Sequence, residues 1–311
     1  MPWADAYLEL VKMTAPVIRE AIPDAIVVSC TAGIARSELL VDRGIARYVD
    51  VHSFHGYQFF PEAYPPEALR NFLLKLKEKA PTLKFWRGES GCPSYNDPKS
   101  GGALSEITAT EPKQAKFLLR HLINDLYNDE IELSSYFHAY DFEHFTKKVR
   151  YHYGLIRHED LTVKPSYGCF QTLAYLFGGA VRPDRETTLS CIAQKGDDMP
   201  TKEECASMKC YSFRRGDERI FAYDLPKEID DCVVAKTVRL SLPRGILPER
   251  YVILDPLTKN LYPLCTADRF LSPLTDYPLL VVPRNTVSCP QTDGEPLCRD
   301  ACADERQGDH E

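Results

Sequence analysis

The chain has 311 residues, 44% of them apolar and 27% charged, which excludes a mainly disordered chain, a collagen-like repeat and a disulfide-only miniprotein. Its 38 Lys and Arg against 45 Asp and Glu leave a formal charge of −7, and without a Lys/Arg block there is no electrostatic footprint for nucleic acid or an anionic membrane. No apolar run approaches the roughly 18 residues of a membrane helix, and the N-terminus lacks the basic-then-apolar pattern of a signal peptide.

In chain order, Tyr7, Leu8, Val11, Ala15, Ile18 and Ile22 recur at helical spacing, with Pro16 placed to kink the helix. The apolar run Ala25-Ile26-Val27-Val28 is short and β-branched, as a buried strand should be, and a strand is expected over Ala25 to Cys30. A short helix is expected around Ser37 to Val41, then a strand over Tyr48 to Phe54. Leu69, Phe72, Leu73, Leu76 and Ala80 form the stripe of the next helix, which Pro81 stops. A third strand spans Leu83 to Gly88, a helix Pro112 to Tyr127, a fourth strand Ile131 to Phe137, and a helix Pro165 to Phe177 that Gly178 and Gly179 end. Strand and helix alternate four times, which predicts a parallel sheet with helical crossovers. After Gly179 short strand-like runs replace helices: Ile220 to Tyr223, Val233 to Leu240, Tyr251 to Leu254 and Leu279 to Val282. Arg215-Gly216-Asp217 reads as a hairpin loop, and the whole as a small antiparallel domain. From Val287 the chain is a polar tail.

Eleven cysteines are many for a cytosolic enzyme, and eight of them lie from Cys191 onward. This skew favours an oxidising compartment for the second half, extracellular or periplasmic if a signal peptide precedes Met1. Cys298 and Cys302 have helical i, i+4 spacing near Cys289 and His310, but so polar a tail favours disulfides or free thiols over zinc. His52 and His55, three apart on a strand, face opposite ways and make a poor metal pair.

The most informative stretch is Phe85-Trp86-Arg87-Gly88-Glu89-Ser90-Gly91, where a strand runs into an acid between glycines. The C-terminal end of the strands is the catalytic face of an α/β barrel, so Glu89 is well placed for chemistry. In isolation the same residue also reads as a loop-capping Glu, and Trp86 as core. Asp50 to Tyr57 sets His55 and Tyr57 at the same end of the preceding strand. Ser134 to Asp141 sets Tyr136, His138 and Tyr140 at that end of the following one. Aromatic planes and hydroxyl-binding side chains gathered on one face suit a sugar.

These segments resemble the second half of a clan A glycoside hydrolase barrel. Asp50-Val51-His52-Ser53-Phe54-His55-Gly56-Tyr57 is similar to the clan's strand-six pattern, and Gly88-Glu89-Ser90-Gly91 resembles its strand-seven nucleophile motif. Gln114-Ala115-Lys116 and Lys164-Pro165-Ser166-Tyr167 look like the openings of helices seven and eight. Val252-Ile253-Leu254-Asp255-Pro256 and Leu274-Thr275-Asp276-Tyr277-Pro278 resemble the β-sandwich of β-xylosidase/α-iduronidase-like relatives.

The resemblance implies an α/β fold: a partial (β/α)8 TIM barrel, strands five to eight, over residues 1–180, an antiparallel β-sandwich over 181–285 and a tail over 286–311. It implies retaining hydrolysis of O-glycosidic bonds in a carbohydrate substrate, with Glu89 as nucleophile and no metal or organic cofactor. Tyr57 would orient Glu89, and His55 would face the sugar with it; Tyr136, His138 and Tyr140 are added to the pocket on position alone. The clan's acid/base is a Glu after Asn at strand four, and this chain contains no Asn-Glu pair. Strands one to four are therefore expected to be missing, with poor hydrolysis by this chain alone, because the reaction needs two carboxyl groups. The alternative is a non-catalytic carbohydrate-binding or scaffold protein that keeps the pocket.

Overall fold

The computed structural model describes residues 2–57, 65–95, 103–104, 107–143, 149–179, 181–192, 199–231, 236–264 and 271–287. Helix α1 (Pro2–Ala21) runs through Pro16 and buries Ala4, Leu8, Val11 and Ala15, a single face at helical spacing. There follow β1 (Val28–Thr31), α2 (Ala35–Asp42), β2 (Val51–His55), α3 (Pro66–Lys79), β3 (Lys84–Glu89), α4 (Glu111–Leu126) and β4 (Ile131–Ser134). All four expected strands are present, and they form one parallel sheet in the order β1-β2-β3-β4. Parallel neighbours cannot be joined by a tight turn, and α2, α3 and α4 supply the crossovers. Leu40, Ile45, Phe54, Leu73, Leu76 and Phe85 pack the core beside α1.

The register carries one feature that matters for the site. The β2–β3 pairing slips between Phe54 and His55, so that His55 pairs with Glu89. Such bulges re-aim side chains, and here the slip brings the last residues of two strands face to face.

The sequence after Gly179 is antiparallel, as its texture predicts. Six strands pair in the order β13 (Leu261–Pro263), β12 (Tyr251–Leu254), β15 (Leu279–Pro283), β10 (Glu218–Asp224), β9 (Lys209–Arg215) and β7 (Val181–Pro183). A second sheet joins β14 (Ser272–Leu274), β11 (Lys236–Ser241) and β8 (Ser190–Ile192). The β9–β10 hairpin turns through Gly216, whose φ of 59° suits the first central position of a two-residue loop. Several elements lie outside the sequence reading, among them the short strands β7, β8, β13 and β14. The two-residue strands β5 (Phe142–Glu143) and β6 (Arg150–Tyr151) pair antiparallel, and a short helix α6 (Lys202–Ser207) stands among the strands, opened by a Thr201/Glu204 capping box. The strand expected over Val233 to Leu240 starts at Lys236; residues 232–235 and the tail from 288, with Cys289, Cys298, Cys302 and His310, lie outside the described residues.

Helix α4 and helix α5 (Pro165–Phe177) share one apolar core with the six-stranded sheet, where Ala115, Leu119, Leu173, Phe213, Phe221 and Val281 meet. All twelve residues from Gln114 to Asp125 are buried. Charge inside such a helix needs partners, and each is supplied. Lys116 Nζ lies 2.8 Å from an Asp276 carboxylate oxygen, Arg120 donates to the Lys227 carbonyl at 2.8 Å, and Asp125 lies 2.8 Å from Arg87 Nε. Gln114 donates to the carbonyls of Cys92 and Gly154 and accepts from Ser166 Oγ.

Candidate active site

In a parallel sheet all C-terminal strand ends fall on one edge, and there Cys30, His55 and Glu89 converge. Glu89 Oε1 accepts from the Tyr57 hydroxyl at 2.7 Å, and Oε2 lies 2.7 Å from His55 Nδ1. An ionised carboxylate only accepts, so Nδ1 carries a proton toward Glu89. In the neutral ring Nε2 is then the acceptor, and Cys30 Sγ lies 3.3 Å from it. The Glu89 side chain keeps 25% exposure, enough to meet a ligand. Burial first, and then the bond to Glu89, push the Tyr57 phenol well above its usual range, so it stays a donor at any ordinary pH.

The glycines around Glu89 have packing reasons. A side chain at Gly88 would put its Cβ 2.1 Å from Ser53 Oγ, and one at Gly91 would come 2.2 Å from the Phe137 carbonyl oxygen. Beneath the site, His52 is fully buried; Ser29 Oγ lies 2.8 Å from its Nδ1 and Ser37 Oγ 2.8 Å from its Nε2. Burial lowers its pKa to about 4, so this ring is a neutral tie between β1, β2 and α2. His52 and His55 thus belong to different environments of one strand.

Glu89 opens into a cavity of about 290 Å³ lined by Tyr57, Ala103, Phe137, Phe142, Tyr151 and Tyr153. Tyr57 stands edge-on to Phe137 and Tyr153, with ring centroids 6.3 and 6.2 Å away. Phe142 and Tyr151 stack at 5.3 Å across the β5–β6 hairpin. The Tyr153 hydroxyl donates to the Ala103 carbonyl. The cavity is a carboxylate set among aromatic faces. A larger cavity, about 490 Å³, lies on the antiparallel part among Asp217, Arg219, Arg250 and Arg284, away from these groups.

The residues proposed from the last strand separate. Tyr136 packs against the core of α4 and α5 and donates to the Cys92 carbonyl at 3.3 Å. His138 lies beside Phe142, ring centroids 4.7 Å apart, with its Nε2 buried and unpartnered; burial lowers its pKa. Tyr140 is 52% exposed and bridges Ile156. Phe137, between Tyr136 and His138, is the one that lines the cavity. Sequence reasoning missed Phe137, Phe142, Tyr151 and Tyr153. The alternation Tyr151-His152-Tyr153 was the available signal, since period two puts both rings on one side. Behind the cavity, buried Lys164 lies 2.7 Å from Asp141 and 2.8 Å from Ser94 Oγ.

The sequence matches no protein-family model and no curated protein. Solved structures do match. A family 39 glycoside hydrolase from Bacteroides cellulosilyticus WH2 aligns with a TM-score of 0.63 at 18% identity, over 89% of this chain and 55% of that one. An alpha-L-arabinofuranosidase from Thermotoga maritima, in complex with arabinose, aligns at 0.54 and 12% identity, over 90% and 61%. A GH30 endoxylanase from Clostridium papyrosolvens C71 aligns at 0.51 and 8% identity, over 89% and 59%. The fold of this chain is similar to part of the fold of these glycosidases. The likeness takes in most of this chain, which spans little more than half the length of each neighbour.

Proposed function

We propose that this chain is the nucleophile-bearing part of a retaining glycoside hydrolase. In this reading β1 to β4 are strands five to eight of a TIM barrel within residues 1–180, followed by a β-sandwich over 181–285 and a tail over 286–311. The observation that carries it is the double anchoring of Glu89, by Tyr57 on one oxygen and His55 on the other, at the mouth of an aromatic cavity. Glu89 attacks the anomeric carbon, the bond to the leaving oxygen breaks, and a glycosyl ester forms on the carboxylate. Each carboxylate oxygen has a lone pair left after accepting one bond, so the attack leaves the Tyr57 and His55 contacts in place. Phe137, Tyr151 and Tyr153 offer faces to sugar C–H groups.

Retaining hydrolysis needs a second carboxyl about 5–5.5 Å from the first to protonate the leaving group. Among the described residues lining the cavity, Glu89 is the one carboxylate. This chain alone is therefore expected to use only substrates whose leaving group needs no proton. Two neighbours are named for xylan and arabinofuranoside chemistry, so pentosides lead the candidate substrates. The test uses 2,4-dinitrophenyl β-xyloside, β-glucoside and α-arabinofuranoside with and without azide. Dinitrophenolate release, accelerated by azide with formation of glycosyl azide and lost in Glu89→Gln, is the expected result. Sugar binding without release from any of the three would favour the non-catalytic reading.

A further inference from the structure

The six described cysteines divide into two kinds. Cys92 and Cys169 are buried singly, each 3.5 Å from a backbone carbonyl oxygen, and Cys30 faces His55. Cys191, Cys205 and Cys210 instead gather in the antiparallel part, and the sulfurs of Cys191 and Cys205 are 3.1 Å apart. That is about 1 Å beyond a disulfide bond length, with both residues recorded as free thiols.

The elements hold this approach independently of the sulfurs. Cys191 is the middle residue of β8 and pairs with Leu240 of β11. Cys205 lies on α6, whose capping box fixes its start. The neighbouring Glu204 takes Lys236 of β11 at 2.6 Å and also pairs with Lys227. Both thiols are thus fixed relative to one strand, β11, by a ladder on one side and an ion pair on the other. Nothing needs to move far for the bond to form.

We propose that Cys191 and Cys205 form a structural disulfide when the protein folds in an oxidising compartment. With oxidised glutathione as the oxidant, the Cys191 thiolate attacks one glutathione sulfur and expels the other glutathione as thiol. The Cys205 thiolate then attacks the Cys191 sulfur of the mixed disulfide, and the second glutathione leaves. Two protein S–H bonds become one S–S bond, and one glutathione disulfide becomes two thiols. Burial first, then the neighbouring Cys205 and Cys210, raise the Cys191 thiol well above its usual range. The exchange is accordingly fastest before the native contacts close, during folding. Cys210, on β9, is the competing partner.

Trypsin separates the three thiols. Cys191 lies between the cleavage sites at Arg185 and Lys195, Cys205 between Lys202 and Lys209, and Cys210 between Lys209 and Arg214. The full chain is refolded in mixed reduced and oxidised glutathione, alkylated after denaturation, digested and mapped by mass spectrometry. The expected result is a linked pair of the Cys191 and Cys205 peptides, with loss of alkylation at both and alkylated Cys210. Cys210→Ser keeps the link, and Cys205→Ser abolishes it. Recovery of both cysteines alkylated at every glutathione ratio would overturn the proposal, as would linkage of Cys191 to Cys210 or to any other cysteine. If the serine variants fail to fold, the wild-type map decides alone.

Discussion

Glu89 is an acceptor held from two sides, and its partners differ in kind. Tyr57 offers a neutral hydroxyl whose proton stays put, whereas His55 offers an N–H whose other ring nitrogen faces the Cys30 thiol. Tyr57→Phe removes one bond to a charged group, worth about 1.5–3 kcal/mol, so ester formation on Glu89 should slow roughly 10- to 150-fold. Dinitrophenolate release in the presence of azide measures it, and an unchanged rate would separate Tyr57 from the chemistry. His52 sets a pH dependence of stability. Its folded pKa, about 4, lies below the ordinary value of 6.5, so between those limits the unfolded chain holds a proton that the native one lacks. Stability should then fall by about 3 kcal/mol as pH drops from 6.5 to 4, with no contribution from this group above 6.5. Urea denaturation across that range, compared with His52→Asn, shows whether the slope belongs to this ring.

The helices and loops reveal what several sequence motifs do. Gln114, Lys116 and Ser166, which resembled helix openings of a barrel, are joints: Gln114 and Ser166 bond to each other, and Lys116 reaches Asp276. Asp255 in turn accepts from the Tyr277 hydroxyl at 2.9 Å, so the Leu254-Asp255-Pro256 and Thr275-Asp276-Tyr277 segments close on one another. Removing one partner of a buried pair leaves the other charge uncompensated. Lys116→Met should therefore destabilise the chain by about 3–5 kcal/mol, with Asp276→Leu in the same chain restoring part of it. Urea midpoints measure both. The four strands and their helices were legible because short β-branched runs and apolar stripes are local. The all-round burial of α4 was not, since its polar face looks solvated until the antiparallel sheet covers it. Phe142, Tyr151 and Tyr153 were hidden for a similar reason. Phe142 reaches the cavity from a strand of two residues, too short for periodicity to register, and Tyr151 and Tyr153 left only the alternation of a three-residue stretch.

At the scale of the molecule, the parallel sheet among the described residues ends at β1 and β4, each hydrogen-bonded to a strand on one side. Val28 on β1 is 42% exposed and Leu133 on β4 is 40% exposed, apolar side chains on open sheet edges. In the proposed barrel reading these are the edges that closure would pair, and the part of each neighbour matched by this chain is 55–61% of its length. His55, Tyr57 and Glu89 were named on motifs that resemble a family pattern, whereas strand-end position alone, the ground for Tyr136, His138 and Tyr140, did not bring those three onto the carboxylate. The slip that turns His55 onto Glu89 follows from the three-dimensional register.

The measurement that bears most directly on Glu89 is the mass of the chain after incubation with 2-deoxy-2-fluoro glycosyl fluorides of xylose, glucose and arabinofuranose. Fluoride departs without a proton donor, and the 2-fluoro group slows hydrolysis of the ester, so labelling needs no second carboxyl. The account predicts one fluoroglycosyl group per chain, carried by the tryptic peptide that begins at Gly88 and absent in Glu89→Gln. A label on another residue, one that persists in Glu89→Gln, or no label with a sugar shown to bind would contradict it.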